Sequence, residues 1–445
     1  MLGYYMRLAF KSFRRNPGLS ALMVTAIALG IAVCVMMMTM YHAMSGNPIW
    51  WKGDQLYTVT MDSWALNNPA DESLPNLPPP QMSYRDAENV FASDIPTRKV
   101  IMYRGSGVLT APNTEARPLR IFTRLTTSDF FAMFDTPFLY GGGWRPQADT
   151  GPEPVIVLTR QTNDKLFGGA NSVGQTVRWN DLPYRVVGVL DHWLPMPKFY
   201  DLNNGDFKEP EEAFIPFGWG KALEHYSAGS TNCWKAEELP TFTSFLASEC
   251  IWLQMWVELP DAASRERMQT FLDNYWAEQR RGGRFERPRN NRLTNVPQWL
   301  IDREVIQADN RVMVGLAFAF LAVCLINTSG LLLAKFLNGA RITGVRRALG
   351  ASRKAIFMQH LTEVSLLAGT GAVLGLGLGA LGLWGLRTLY TLDPERMGGY
   401  QALAHVDTTS VVVSLGLAVF ASLAAGIYPA WRIGRLAPAS YLKSQ

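Results

Sequence analysis

Four windows of this chain are almost free of charge: Leu19–Tyr41, Val312–Ala334, Leu361–Leu386 and Thr409–Ala430. Each is 22 to 26 residues long, and about 20 residues at 1.5 Å rise cross the hydrocarbon core of a bilayer. The pattern predicts four transmembrane helices at 19–41, 312–334, 361–386 and 409–430. Residues 42–311 form one long polar insert between the first and the second. Mean hydropathy over the whole chain is near zero because this insert dilutes the apolar windows.

Charge sets the orientation. The stretch before the first window holds Arg7, Lys11, Arg14 and Arg15. The segment between the second and third holds Lys335, Arg341, Arg346, Arg347, Arg353 and Lys354. The C-terminal tail holds Arg432, Arg435 and Lys443, and none of these three segments carries an acid. Residues 42–310 hold 26 Lys and Arg against 33 Asp and Glu, a net of −7. Basic loops stay on the cytoplasmic side, so both termini and the 335–360 loop are predicted inside and the insert outside. The overall charge of +5 follows from topology and gives no argument for nucleic acid binding. Residues 1–18 read as a basic amphipathic helix on the inner leaflet, ended by Asn16-Pro17-Gly18; the alternative is a cytoplasmic extension of the first span.

Within the insert, Gln55–Trp64, Lys99–Leu109, Leu119–Leu125, Val155–Thr159, Tyr184–Leu190 and Ile251–Leu259 read as strands. Tyr84–Ser93, Thr127–Phe134, Arg160–Phe167 and Ala262–Arg280 read as helices. From Gln298 a helical pattern runs into the second window, so one long helix is expected to leave the insert and cross the membrane. The fold class is therefore a membrane protein with four helices, N-in and C-in, and a large α+β extracytoplasmic domain between helices 1 and 2.

Chemistry-bearing patterns are few. There is no H-E-x-x-H, C-x-x-C, G-x-S-x-G or G-x-x-x-x-G-K-[ST], and the five histidines stand at no metal-ligand spacing. No catalytic, metal or cofactor site is expected in this chain. Cys233 and Cys250 both lie in the insert, where an oxidising compartment permits a disulfide; the alternative is two buried thiols. Cys34 and Cys324 read as small membrane residues. Asn327 to Gly330 places four small or polar residues in the second span, which suits a helix–helix interface. Gly371, Gly375 and Gly379, four apart, read as a close-packing stripe in the third. Glu363, the acid within a window, lies beside His360 and reads as a helix-end residue, with a proton relay as the alternative. Two stretches of the insert have open roles. Residues 192–250 are rich in aromatics and suit either a contact loop or a packed surface. Arg280–Arg292, with Glu286 as its sole acid, suits either a solvated loop or an anion-binding face for lipid or a partner.

The segment G-V-R-R-A-L-G-A-S-R-K, Gly344 to Lys354, closely resembles the loop with which MacB/FtsX-like ABC-transporter permeases meet their ATPase. Further resemblance is carried by Ser12-Phe13-Arg14-Arg15-Asn16 with Ala28–Ala32, and by Thr127-Ser128-Asp129-Phe130-Phe131. Leu166-Phe167-Gly168, Val173–Val177 and Val186–Val189 add to it, as does the tail Gly426-Ile427-Tyr428-Pro429-Ala430-Trp431-Arg432 with Arg435 and Pro438. Ile342 departs from the pattern, since an acid is common there. The resemblance implies a type VII, mechanotransmission-type permease subunit of the bacterial inner membrane, without a fused ATPase. ATP and Mg would be bound by a separate ATPase dimer docking at Arg346, Arg347, Leu349, Gly350 and Arg353. A second permease, identical or homologous, would complete the membrane part; a periplasmic adaptor and an outer-membrane channel are optional partners. The insert would form a membrane-proximal β-α-β lobe, about 50–125 and 249–295, carrying an inserted strand-rich lobe, about 126–248. A short external loop at 387–408 and a tail at 431–445 complete the organisation. The implied function is efflux of a substrate from the periplasmic side. Alternatives are a lipoprotein-extracting permease, a regulatory FtsX-like permease that activates an outside partner, and an ATPase-independent scaffold.

Overall fold

The computed structural model describes residues 2–112, 115–151, 153–305, 308–338 and 340–391, with 412, 416, 420 and 427–432. The chain forms two compact units, Gly46–Ile306, and Met1–Ser45 with Gln307–Gln445. Two helices open it, α1 (Leu2–Arg15) and α2 (Pro17–Ser45). Pro17 takes the first position of α2, where its missing N–H removes no helical bond and its fixed φ suits the helix.

Residues 46–306 fold around one eleven-stranded sheet. Its strands are β1 (Leu56–Thr60), β2 (Met82–Ser83), β3 (Arg98–Thr110), β4 (Leu119–Thr126), β5 (Phe138–Gly141), β6 (Val155–Leu158), β7 (Thr176–Trp179), β8 (Leu182–Leu190), β9 (Ala213–Pro216), β10 (Ile251–Glu258) and β11 (Arg292–Asn295). Between them run α3 (Tyr84–Phe91), α4 (Asp129–Met133), α5 (Gln147–Thr150), α6 (Arg160–Phe167), α7 (Gly218–Ala222), α8 (Phe242–Ala247), α9 (Ala262–Arg281) and α10 (Val296–Asp302). Local signals set these boundaries. Ser83 accepts a bond from the Asp86 N–H to start α3. Thr159 caps α6, and Gly168, left-handed at φ 60°, ends it. Asp261 and Ser264 form a capping box for α9.

The strands run in the order β11-β1-β10-β3-β4-β9-β6-β8-β5. β7 pairs with both β3 and β8. Hence β3, β4, β9, β6, β8 and β7 close on themselves into a six-stranded ring. Alternate residues of each strand enter one core: Ile101 and Tyr103, Ile121 and Leu125, Ala213 and Ile215, Ile156 and Leu158, Tyr184 and Val186, Val177 and Trp179. A period of two points these side chains to one face, and closure pairs strand edges that would otherwise be free. β3 and β4 serve both halves of the unit. The lobe boundary expected near residue 126 therefore divides the helices and loops, while the sheet continues across it.

One charged cluster lies inside this unit. The Arg124 guanidinium of β4 is fully buried. It donates to Asp201 at 2.5 Å and to both carboxylate oxygens of Glu211. Lys198 (3.3 Å) and the Tyr200 hydroxyl (3.2 Å) also donate to Glu211, while Gln254 and Asn204 donate to Asp201. Burial pushes the Glu211 carboxyl up, but Arg124 and Lys198 pull it further down, well below the usual carboxylate range. The cluster fastens the 198–211 loop to β4 and β10. Around it, Phe199, Tyr200 and Phe214 are fully buried, and Phe130, Phe134 and Trp256 meet them edge to face or tilted. Much of the aromatic stretch is packed core, with Tyr226 exposed.

The arginine run is also engaged internally. Arg284 pairs with Asp86 and Glu249, Arg287 with Asp62, and Arg289 with Asp273; Arg280 donates to three backbone carbonyls. Arg284 and Arg287 are thus taken up by acids within the unit, while Arg280, Arg281 and Arg289 stay exposed. The helix expected to run from Gln298 into the membrane is likewise interrupted. After α10, Glu304 turns left-handed at φ 49°. The N–H groups of Glu304 and Val305 donate back to Ile301 and Leu300, a Schellman stop. The next helix begins separately at Ala308.

The second unit adds α11 (Ala308–Asn338), α12 (Ala340–Ala348) and α13 (Arg353–Thr391) to α1 and α2. Three stretches are long and apolar enough to cross a membrane: Pro17–His42, Val312–Asn338 and Arg353–Thr388. The fourth expected span, Thr409–Ala430, lies mostly outside the described residues. The helices α11 and α13 both pack on α2, through a core of Ile27, Ile31, Val35, Leu321, Ala368 and Ala372.

Candidate docking hairpin and its anchors

The basic segment between α11 and α13 folds as a helical hairpin. At the end of α12 the Gly350 N–H donates to the Arg347 carbonyl (3.1 Å) and the Ala351 N–H to the Arg346 carbonyl (3.0 Å). This is a second Schellman stop, and Gly350 sits at φ 100°, a conformation glycine adopts without a Cβ penalty. Two residues on, the Ser352 hydroxyl accepts from the Ala355 N–H (3.2 Å) and caps α13. The sequence L-G-A-S thus encodes a stop, a turn and a start in four residues.

This geometry sorts the expected docking residues. Leu349 projects from the turn, 83% exposed. Gly350, Arg353 and Lys354 are exposed beside it. Arg346 is engaged within the chain: it donates to Gln359 of α13 (2.5 Å) and to the Tyr4 hydroxyl of α1 (2.7 Å). It ties α12 to α13 and to α1. Arg347 is half-buried. The outward charge is carried by Arg353 and Lys354, and the outward apolar contact by Leu349 with Val345.

Behind the hairpin lies a second buried charged group. Lys335, near the end of α11, reaches Glu363 of α13 at 2.7 Å, and both are buried. Glu363 also accepts from Ser12 of α1 (2.5 Å), and Lys335 donates to Ser20 of α2 (3.4 Å). His360 packs on Phe336, its ring centre 4.2 Å away. Four helices therefore meet at one ion pair next to the hairpin. In the sequence Lys335 reads only as a topology charge. The signal available was a basic residue ending one apolar run and an acid starting another.

The glycine stripe faces α2. A side chain at Gly371 would strike Ile27, one at Gly375 would strike Ile31 and the Ala28 carbonyl, and one at Gly379 would press on Val35. Their absence lets the two backbones approach closely. Gly30 of α2 plays the same part toward Leu321 and Cys324 of α11. Asn327, expected at a helix interface, is exposed on α11 among the described residues. The buried polar residue of that stretch is Thr328, bonded to the Cys324 carbonyl one turn back (2.7 Å). In the other unit Cys233 and Cys250 are joined in a disulfide. Beside it Asn232 and Ile251 exchange two backbone bonds, so the bridge staples the 230–234 loop to the start of β10.

Comparison with known proteins covers both units. Residues 20–275 match the MacB-like periplasmic core domain, and residues 314–438 match the FtsX-like permease C-terminal domain. This chain belongs to the MacB/FtsX-like family of ABC-transporter permeases. The macrolide export ATP-binding/permease protein MacB of Azoarcus sp. is 23% identical over 446 residues, 99% of this permease and 59% of the relative. The pyoverdine export ATP-binding/permease protein PvdT of Pseudomonas aeruginosa is 24% identical over 319 residues, 72% of this permease and 41% of the relative. The permease thus spans about half the length of the curated relatives it matches. The periplasmic region of MacB from Actinobacillus actinomycetemcomitans aligns at 13% identity with a TM-score of 0.37, covering 58% of this chain and 96% of that one. Members of the family span the membrane, carry a periplasmic domain and act with ABC ATPase partners.

Proposed function

We propose that this chain is the non-catalytic permease subunit of an inner-membrane export system. A separate cytoplasmic ATPase docks at the tip of the α12–α13 hairpin, through Leu349, Gly350 and Arg353, and binds the ATP and Mg. Its closing motion passes through α11 and α13 to the periplasmic domain, which drives substrate outward from the periplasmic side. A second permease completes the assembly. The observation that carries this reading is the hairpin itself: an apolar tip flanked by uncompensated positive charge, tied to α1 by Arg346. Family membership supports the ATPase partner. The charge-poor spans support mechanical transmission over a polar pathway through the bilayer. The 261-residue insert between the first two spans, Gly46–Ile306, favours export over the regulatory role, for which a smaller outside domain suffices.

The coupling is testable as a distance. A spin label on Gln175→Cys, an exposed position between β6 and β7, reports the separation of the two copies in a homodimer, or of copy and partner if the partner is labelled too. Trapping the ATPase with ATP and vanadate is expected to shift that distance distribution relative to the nucleotide-free complex. An unchanged distribution in a complex that still hydrolyses ATP contradicts mechanical coupling.

A further inference from the structure

A cavity of about 500 Å³ opens where the two lobes of the periplasmic unit meet. One wall is α3 of the membrane-proximal lobe, with Tyr84, Glu88 and Phe91; the other is α7 and the residue before it in the inserted lobe, with Phe217 and Lys221. Three features set it apart from an ordinary crevice. Its walls are mainly apolar and its three aromatic rings are half-exposed, although the core beside it buries such rings completely. Tyr84 lies nearly parallel to Phe217 and to Trp252, with interplanar angles of 10° and 9°, and its hydroxyl is anchored on Glu88 at 2.7 Å, so the ring is held in place. Charged groups of both signs line it: Lys221 stands on one wall with Asp149, whose carboxylate is taken up by Ser128 and Trp144, and Glu88 stands on the other. Among the described residues, Lys221 is exposed and makes no ion pair, and Glu88 accepts only from Tyr84, which leaves a carboxylate oxygen open.

We infer that this inter-lobe cleft is a binding site for a ring-bearing amphipathic molecule that carries both an anionic and a cationic group. The rings lie against Tyr84, Phe91 and Phe217, the anionic group faces Lys221, and the cationic group faces Glu88. A volume of this size accommodates a drug-sized ligand, and ligand sites favour concave, largely apolar junctions between lobes with a few placed polar groups. Naming the occupant the transported substrate rests on the export reading above; the binding itself does not.

The test uses the full chain in detergent micelles without an ATPase, so its outcome is independent of the transport reading. The probe is rhodamine B, a flat zwitterion with a xanthylium cation and a carboxylate, followed by fluorescence anisotropy against its ethyl ester, which lacks the anionic charge. The expected result is saturable binding to the wild type, at least tenfold weaker for the ester. Lys221→Glu is expected to weaken rhodamine B at least tenfold and to remove the preference over the ester. Phe217→Ala is expected to weaken both probes. Lys221 is exposed, so Lys221→Glu keeps the wild-type unfolding midpoint and serves as the decisive variant if Phe217→Ala does not fold. Non-saturable uptake equal to that of empty micelles, or binding unchanged in Lys221→Glu, overturns the inference.

Discussion

Replacing Arg124 with leucine is expected to destabilise the periplasmic unit by about 3–5 kcal/mol, because removal of one partner leaves buried charge uncompensated. Asp201 and Glu211 both face that guanidinium with no exposure of their own side chains beyond 2%; of the neighbouring cations, Lys198 bonds Glu211 alone, and Arg104 acts on both acids without a described hydrogen bond to either. The pH dependence carries a sign. In the wild type the Glu211 carboxyl is held below its ordinary value of 4.5. A depressed folded pKa contributes stability above the unfolded value that is lost as pH falls through the folded one. In Arg124→Leu the lowering partner is gone and burial remains, so the carboxyl moves up. The destabilisation of the variant is therefore larger at pH 8 than at pH 5. Denaturant unfolding of the full-length protein, followed by tryptophan fluorescence at both pH values, checks this. A variant whose loss is below 1 kcal/mol, or is greater at pH 5, would show that the cluster is not held by Arg124.

Lys335→Met is the second large effect. It strands Glu363 among α1, α2, α11 and α13, and the expected loss is again about 3–5 kcal/mol, read as a lower thermal midpoint of the detergent-solubilised protein. The double variant Lys335→Met/Glu363→Leu is expected to recover most of it, since two well-packed apolar groups can replace a buried pair at little net cost. Recovery distinguishes a pair that holds four helices in register from a lysine that matters for its own packing. If the single variant melts with the wild type, the ion pair is not what anchors the docking hairpin.

The parts of this protein visible in the sequence are those set by short-range rules. Twenty apolar residues in a row, a Thr before Arg160 and a Gly after Phe167, or glycines four apart in 371–379 each act within a turn or two. They delimit spans, a short helix and a packing face without reference to the rest of the chain. Long-range pairing leaves no such trace. Nothing local in Thr176–Trp179 says that it pairs with β3 as well as β8 and closes a ring. Arg124 reads as one alternating strand residue until the 198–211 loop folds over it. The same holds at the hairpin: Arg346 and Arg353 look equivalent in a basic run, and only the positions of Tyr4 and Gln359 turn one inward and leave the other outside. Glu304, with a positive φ and a side chain that ordinarily disfavours it, explains why the helical pattern after Gln298 does not continue into the span.

Co-purification tests the proposed ATPase contact at the hairpin tip most directly. Detergent-solubilised wild type, Leu349→Asp/Arg353→Glu and Arg353→Lys are each captured under gentle conditions and scored for an associated ABC ATPase and a second permease. The wild type and Arg353→Lys are expected to retain the ATPase. The double variant loses it while keeping its thermal midpoint and its partner permease. Wild type that brings down no ATPase, or a double variant that retains it in full, would contradict the assignment of this hairpin as the point where ATP-driven motion enters the chain.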